Sequence, residues 1–338
     1  MKILLIAPAW VGDMVMMHAL CRMLKLQHPE AVIDLVASPV TAPLAAMMPA
    51  VRRAHVLAVP HKKFGLLARW RLGRCLRGEA YDQSIVITRA WKAALVPFFA
   101  RVKKRTGWLG EQRYGLLNDI RRLDKQALPT MVQRLCSLAV DAGHNIPADL
   151  PLPRWQVTAA QMQQALQSLD LVKDARPILV LCPGAEFGPA KMWPAAHFAV
   201  LAQEKIKAGW QVWLVGAPKD QQAAQQIQAG APAVKNLTGK TRLLDAVYLI
   251  AAADAVVTND SGLMHVAAAL DRAIVALYGS SSPDFTPPLA QQAKVLRLSL
   301  ECQPCFQRQC PLGHRRCLVD LTPAAVSAAV DAFAFQPA

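Results

Sequence analysis

Short apolar runs of strand type alternate with helical stretches along the first half of the chain, and after a proline-containing break the alternation starts again. "KILLIAPA", "AVIDLVAS", "RAHVLAVP" and "YDQSIVIT" read as strands, with "MVMMHALCRMLKLQH", "TAPLAAMMP" and "LLARWRLGRCLRGE" as the helices between them. Strands separated by helices of this length pair in parallel through βαβ crossovers. The break is "ADLPLPRWQVT" at 148–158, which holds Pro151 and Pro153 and has no periodicity. Beyond it "PILVLCPGA", "WQVWLVGAP", "AVVTND" and "AIVALYG" read as strands, while "AHFAVLAQEKIKAG", "LLDAVYLIAAA" and "GLMHVAAAL" read as helices. A last helix is expected over 323–335. The expected architecture is α/β: two domains, 1–155 and 156–338, with a cleft between them.

Composition supports two cores. Of 338 residues, 54% are hydrophobic and 18% charged, which excludes a disordered chain. "MKILLIAPAWVGD" breaks after seven residues with no small-residue cleavage site, so it reads as a first strand rather than a signal peptide. No apolar run reaches the length of a membrane span, so a cytoplasmic protein is expected. The net charge of +15 is uneven: residues 1–155 hold 23 Lys and Arg against 10 Asp and Glu, and residues 156–338 hold 15 against 13. An anionic partner is therefore expected at the N-terminal half.

Three loops combine residue types that suit chemistry on an anionic substrate. Asp13 interrupts the apolar stretch "APAWVGDMVMMHAL" just after the first strand, where open α/β sheets bind ligands. Two readings stand: an N-cap of the following helix, or a reactive carboxylate. One glycine is too few for a dinucleotide fingerprint. In "CPGAEFGPAKMWP", Gly184 and Gly188 let backbone approach an anion closely and Lys191 supplies a mobile positive charge. In "TNDSGLMHVAAAL", a strand ends, Asn259, Asp260, Ser261 and Gly262 make a turn, and a helix begins. Its unpaired N–H groups and positive dipole end make an anion site, within reach of His265 one turn in.

With these three stretches in one chain, the sequence resembles the ADP-heptose:lipopolysaccharide heptosyltransferases, inverting glycosyltransferases of family 9 whose GT-B fold implies two facing Rossmann-like domains. "LVPFFA", "RTGWLGEQRYGLLND" and "YGSSSPDFTPPL" look like the type II subgroup, and the similarity runs over nearly the whole chain. The resemblance implies transfer of L-glycero-D-manno-heptose from ADP-heptose to the first heptose of the inner core, on heptosyl-Kdo2-lipid A. It implies a C-terminal domain that holds the donor and an N-terminal domain that holds the acceptor. By position Asp13 matches the family's base and Lys191 the lysine on the sugar-nucleotide diphosphate. Gly184, Asp260, Ser261, Gly262 and His265 fall in the donor-binding loops.

An inverting transfer needs a base for the acceptor hydroxyl and positive groups for departing ADP, so neither a metal nor a cofactor is required. The basic half suits Kdo carboxylates and lipid A phosphates, with Lys103, Lys104, Arg105 and Arg113 as candidate contacts and peripheral contact with the inner face of the inner membrane as a corollary.

Eight cysteines are present. Cys21, Cys75, Cys136 and Cys182 are scattered and read as small core residues. Cys302, Cys305, Cys310 and Cys317 stand at C-x2-C-x4-C-x6-C spacing near His314, open to a structural zinc clip, a disulfide or reduced thiols. A sister enzyme acting on Kdo or on a later heptose is the nearest alternative. Nucleic-acid binding is the distant one. It is disfavoured because the basic residues lack interleaved aromatic groups and the phosphate-type loops lie in the less basic half.

Overall fold

The computed structural model describes residues 1–60 and 63–333. The chain divides into two compact units, Met1–Trp155 and Gln156–Ala338.

The first unit is a six-stranded parallel sheet built from β1 (Lys2–Ile6), β2 (Val32–Ala37), β3 (Arg53–Val56), β4 (Gln83–Val86), β5 (Lys104–Trp108) and β6 (Asp119–Arg121), in the order β3-β2-β1-β4-β5-β6. β1 runs beside β2 from Lys2↔Val32 and beside β4 from Ile3↔Gln83, so the order reverses between β1 and β4. Helix α1 (Val11–Gln27) follows β1 and is buried on most sides, with Met14 through Leu20 all inside. It is thus a core helix rather than a half-exposed one. α2 (Leu66–Cys75), α3 (Leu95–Phe99) and α4 (Met131–Cys136) complete the unit. "TAPLAAMMP" is a 3-10 helix, Ala42–Met47, with a proline at its start.

The second unit repeats the plan. It holds β7 (Ile178–Cys182), β8 (Gln211–Leu214), β9 (Lys235–Asn236), β10 (Ala255–Asn259), β11 (Ala273–Leu277) and β12 (Ala293–Leu296), in the order β12-β11-β10-β7-β8-β9. Every residue of β7, β10 and β11 is buried, as expected of parallel strands covered on both faces. The helices are α5 (Ala159–Ser168), α6 (Ala195–Lys207), α7 (Gln221–Gly230), α8 (Leu243–Ala252), α9 (Gly262–Ala269), α10 (Arg316–Val319) and α11 (Pro323–Asp331). Trp193, Phe198, Ile227 and Val326 fill its core. The strand order reverses between β7 and β10, the switch point at which such sheets hold ligands.

Three differences from the sequence reading have physical causes. β5 and β6, with sequences "KRTGW" and "DIR", carry no apolar run; partners hold them, Lys104 lying opposite Gln83 and Asp119 opposite Thr106. The last helix ends at Asp331, and residues 334 and 335 of the expected span lie outside the described residues. The proline-containing break is fastened to α1, because Arg22 donates to the Leu152 carbonyl and the Arg154 N–H donates to His18 Nδ1 at 3.3 Å.

Candidate active site

In the second unit, the loops after β7 and β10 meet because their strands are neighbours, with Thr258 beside Cys182 at their ends. Asn259 joins them: its Nδ2 donates to the Pro183 carbonyl at 2.7 Å and its Oδ1 accepts from the Trp193 N–H at 3.0 Å. This side chain is fully buried and spends both ends of its amide on the two loops, so it is scaffold.

Lys191 and Asp260 come together on that frame. Lys191 Nζ lies 2.5 Å from Asp260 Oδ2, and Ser281 Oγ donates to the same oxygen at 2.5 Å. Asp260 is buried and Lys191 nearly so, so loss of either partner would leave a largely desolvated charge uncompensated. Lys191 Nζ also sits 5.0 Å from the centre of the Phe187 ring, with the Arg308 guanidinium 5.4 Å from the same ring. Two cations therefore stand by one aromatic ring at this loop.

Ser261 occupies the N-cap position of α9 without a side-chain cap, so the first N–H groups of α9, from Gly262 on, remain an anion site by geometry. The Ser261 hydroxyl lies 3.3 Å from Thr258 Oγ1. His265 is buried one turn in, and burial pushes it down to about 4, so it is neutral near pH 7. Its Nδ1 has no hydrogen-bond partner among the described residues. Gly184 is needed for steric reasons, because a Cβ there would collide with the Asp220 carboxylate. Gly188 has φ +150° and a Cβ on it would meet the Arg308 carbonyl at 2.5 Å, so both features require glycine.

Ser280, Ser281 and Arg308 were not singled out from sequence. The segment that follows β11 carries the serines, and residues 303–310 brace it: Phe306 N–H donates to the Ser280 carbonyl at 2.7 Å and Ala190 N–H to the Arg308 carbonyl at 3.2 Å. Only long-range pairing places them beside Lys191; "YGSSSPDF" carries a family signal but no sign of that contact.

In the first unit, Asp13 is the third residue of α1, and the cap position belongs to Trp10, which makes no side-chain cap. The capping alternative for Asp13 therefore fails. Among the described residues nothing hydrogen-bonds or ion-pairs with its carboxylate. Burial pushes it up to about 6, against the pull of the helix N-terminus. A carboxylate near neutrality without a partner has the properties of a general base.

The basic candidates separate. Lys103 is exposed and without an ion pair among the described residues, whereas Lys104 pairs with Asp141 at 2.9 Å. Arg105 is corrected to a brace, because it donates to the carbonyls of Leu116 and Val102, each at 2.7 Å. Arg113 is corrected likewise: it is buried and donates to the Thr88 carbonyl at 2.6 Å and to the Trp108 carbonyl. These bonds satisfy backbone carbonyls, although the buried Arg113 Nε has no partner among the described residues.

Cys21, Cys136 and Cys182 are buried as expected, but Cys75 is exposed on α2. Cys302, Cys305, Cys310, Cys317 and His314 line one pocket that also touches Ala190 and Gly279. All four cysteines are free thiols, and among the described residues no three His, Cys, Asp or Glu side chains are placed to hold a metal ion.

Comparison with known proteins places these observations. Residues 69–315 match the family described as glycosyltransferase family 9 (heptosyltransferase). A Salmonella typhimurium protein named lipopolysaccharide heptosyltransferase 2 is 47% identical over 333 residues, covering 96% of this chain and 95% of that one. The Escherichia coli K12 protein of the same name is 45% identical and covers 99% of each chain. The solved structure of E. coli ADP-heptose LPS heptosyltransferase II superposes with a TM-score of 0.88 at 45% identity, over 98% of both chains. With two parallel six-stranded sheets of GT-B type, an aspartate after β1 that has no partner among the described residues, and a lysine and helix N-terminus at the second switch point, the chain belongs to glycosyltransferase family 9, the heptosyltransferases.

Proposed function

We propose that this protein transfers L-glycero-D-manno-heptose from ADP-heptose to the first heptose of the lipopolysaccharide inner core, with heptosyl-Kdo2-lipid A as acceptor. The observation that carries this reading is the likeness, over nearly the full chain, to relatives named heptosyltransferase 2.

In the reaction, the acceptor hydroxyl oxygen bonds to the anomeric carbon as the bond from that carbon to the diphosphate oxygen breaks. Asp13 accepts the hydroxyl proton, and the electron pair leaves with ADP. A carboxylate held near 6 is ionised at neutral pH and still basic enough to assist, which supports that role. The growing negative charge on ADP is met by Lys191 and the N–H groups of α9. On this reading Asp260 holds the Lys191 ammonium in place, and Ser281 holds Asp260. Gly184 and Gly188 keep backbone close to the diphosphate, and Ser261, Gly262 and His265 contact the donor. The second unit thus takes the donor and the first unit the acceptor. Lys103 offers its ammonium to acceptor anions, whereas Arg105 and Arg113 shape the surface from beneath. No step is routed through a metal.

No described helix is long and apolar enough to cross a membrane. The acceptor is lipid-anchored, so the proposed working place is the cytoplasmic face of the inner membrane, with peripheral contact. Transfer from ADP-heptose to acceptors bearing zero, one or two heptoses tests the reading. Turnover is expected on the one-heptose acceptor; turnover on the zero- or two-heptose acceptor alone assigns a sister activity.

A further inference from the structure

Helix α2 is seated the wrong way round for an ordinary surface helix. Its inward side carries Arg69, Leu72 and Gly73, while Leu66, Leu67 and Trp70 are exposed, Leu67 by 64%. The seating is firm. Buried Arg69 donates to the Phe64 carbonyl at 2.9 Å and the Lys92 carbonyl at 3.2 Å, and Gly73 lets α2 approach α3 so closely that a Cβ would meet Phe99 Cβ at 2.5 Å. The outward Leu-Leu-Trp side therefore does not result from a loosely attached helix. It continues into Phe64, whose ring packs 5.0 Å from that of exposed Trp91.

The rim of this apolar face is mainly positive, with Glu111, which accepts from the Trp91 N–H at 3.0 Å, as an acidic group at its Trp91 end. Arg71, Arg74 and Arg101 are exposed, and among the described residues none of them pairs with a carboxylate. Arg74 lies 5.1 Å from the centre of the Trp70 ring. Burial and the neighbouring charges of Arg101 and Arg74 hold Arg77 below its ordinary value, so like charges accumulate here without relief. A protein surface of aromatic and leucine side chains ringed by arginines matches an anionic bilayer, where apolar groups enter the headgroup boundary and guanidinium groups meet phosphates. Contiguous exposed apolar surface of this kind is a mark of an interaction site.

We infer that the outward face of α2, with Phe64 and Trp91, is the surface by which this protein docks on an anionic lipid bilayer. The inference rests on the proposed reaction at a lipid-anchored acceptor and adds which surface meets the lipid. The purified full-length protein is floated with phosphatidylcholine vesicles with and without phosphatidylglycerol, alongside Leu66→Gln/Leu67→Gln/Trp70→Gln and Arg71→Gln/Arg74→Gln variants. All five side chains are exposed, so melting and turnover on a deacylated acceptor, which needs no bilayer, are expected to stay as in the unmodified protein.

The protein is expected to bind only the phosphatidylglycerol vesicles, and less as salt rises. The apolar triple variant is expected to lose at least about tenfold in vesicle affinity, and the arginine variant about fivefold per arginine removed. Vesicle binding by the triple variant equal to that of the unmodified protein overturns the inference. So does a concentration-dependent dimer that the triple variant abolishes, which would give the face to a second copy. Equal loss of turnover on the deacylated acceptor would give it to the acceptor sugar. Failure of the unmodified protein to use any acceptor would instead sink the proposed reaction, and vesicle binding would be read separately.

Discussion

Asp13 and Asp260 each follow a central strand of a six-stranded parallel sheet, β1 in one unit and β10 in the other, and each stands at the start of a helix. Their surroundings are opposite. Asp260 shares one carboxylate oxygen between the Lys191 ammonium and the Ser281 hydroxyl. Asp13 has no partner among the described residues, and burial raises it. A satisfied carboxylate positions its neighbours, while a desolvated and unsatisfied one stays ready to take a proton. The same residue type beside the two switch points, after the first strand of one sheet and the fourth of the other, thus stands in opposite surroundings, which suits the two roles proposed above.

The largest effect that would break this contrast is expected from Asp13→Asn. Turnover should fall by about 10²- to 10⁴-fold, the scale of a positioned general base, with ADP-heptose affinity kept. Single-turnover kinetics and calorimetric titration measure the two quantities, and near-normal turnover would return Asp13 to a structural role. Asp260→Asn should behave in the opposite way, lowering stability by about 3–5 kcal/mol because Lys191 would be left nearly buried and unpaired. Denaturant unfolding reads that loss directly.

A smaller effect concerns folding at Asp13 itself. Its folded value near 6 lies above the ordinary 3.8, so the ionised carboxylate disfavours the folded state, in full above pH 6. The cost is at most about 3 kcal/mol and fades as pH falls from 6 towards 4. Asp13→Asn should therefore be more stable than the unmodified protein at pH 8 and equal to it near pH 4; a less stable variant at pH 8 contradicts the desolvated, unpartnered carboxylate. The smallest effect is in the rate: kcat/KM should fall about tenfold per pH unit below 6 as the base is protonated. In Asp13→Asn, residual activity should lack that acid limb, and a persisting limb would assign it to another group.

Much of the fold was legible because strand and helix periods are local properties. "ILVLC", "AVVTN" and "AIVAL" announce buried parallel strands through composition alone. β5 and β6 were illegible for the converse reason: "KRTGW" and "DIR" extend because neighbouring strands pair with them and because Arg121 and Thr106 satisfy Asp119. At the site, Lys191, Asp260 and the start of α9 stood out as a lysine after glycines and as strand-to-helix turn chemistry. Arg105 and Arg113 misled, because a basic residue in sequence carries no sign of whether its guanidinium meets a ligand or the backbone beneath it. Trp10, not Asp13, holds the cap position of α1, which the residue preference for aspartate at caps would not suggest.

The sequence by itself determined the α/β class, the strands of both central switch points and the residue types available for a diphosphate and a base, since these follow from periodicity and side-chain chemistry within a few residues. Only the tertiary structure decided which aspartate is paired and which is left alone, that Ser281 and Arg308 join Lys191, and that α2 turns its leucines and tryptophan outward. Those outcomes depend on contacts between segments distant along the chain, where burial and partners, rather than the residue itself, set the charge state and the exposure of a side chain.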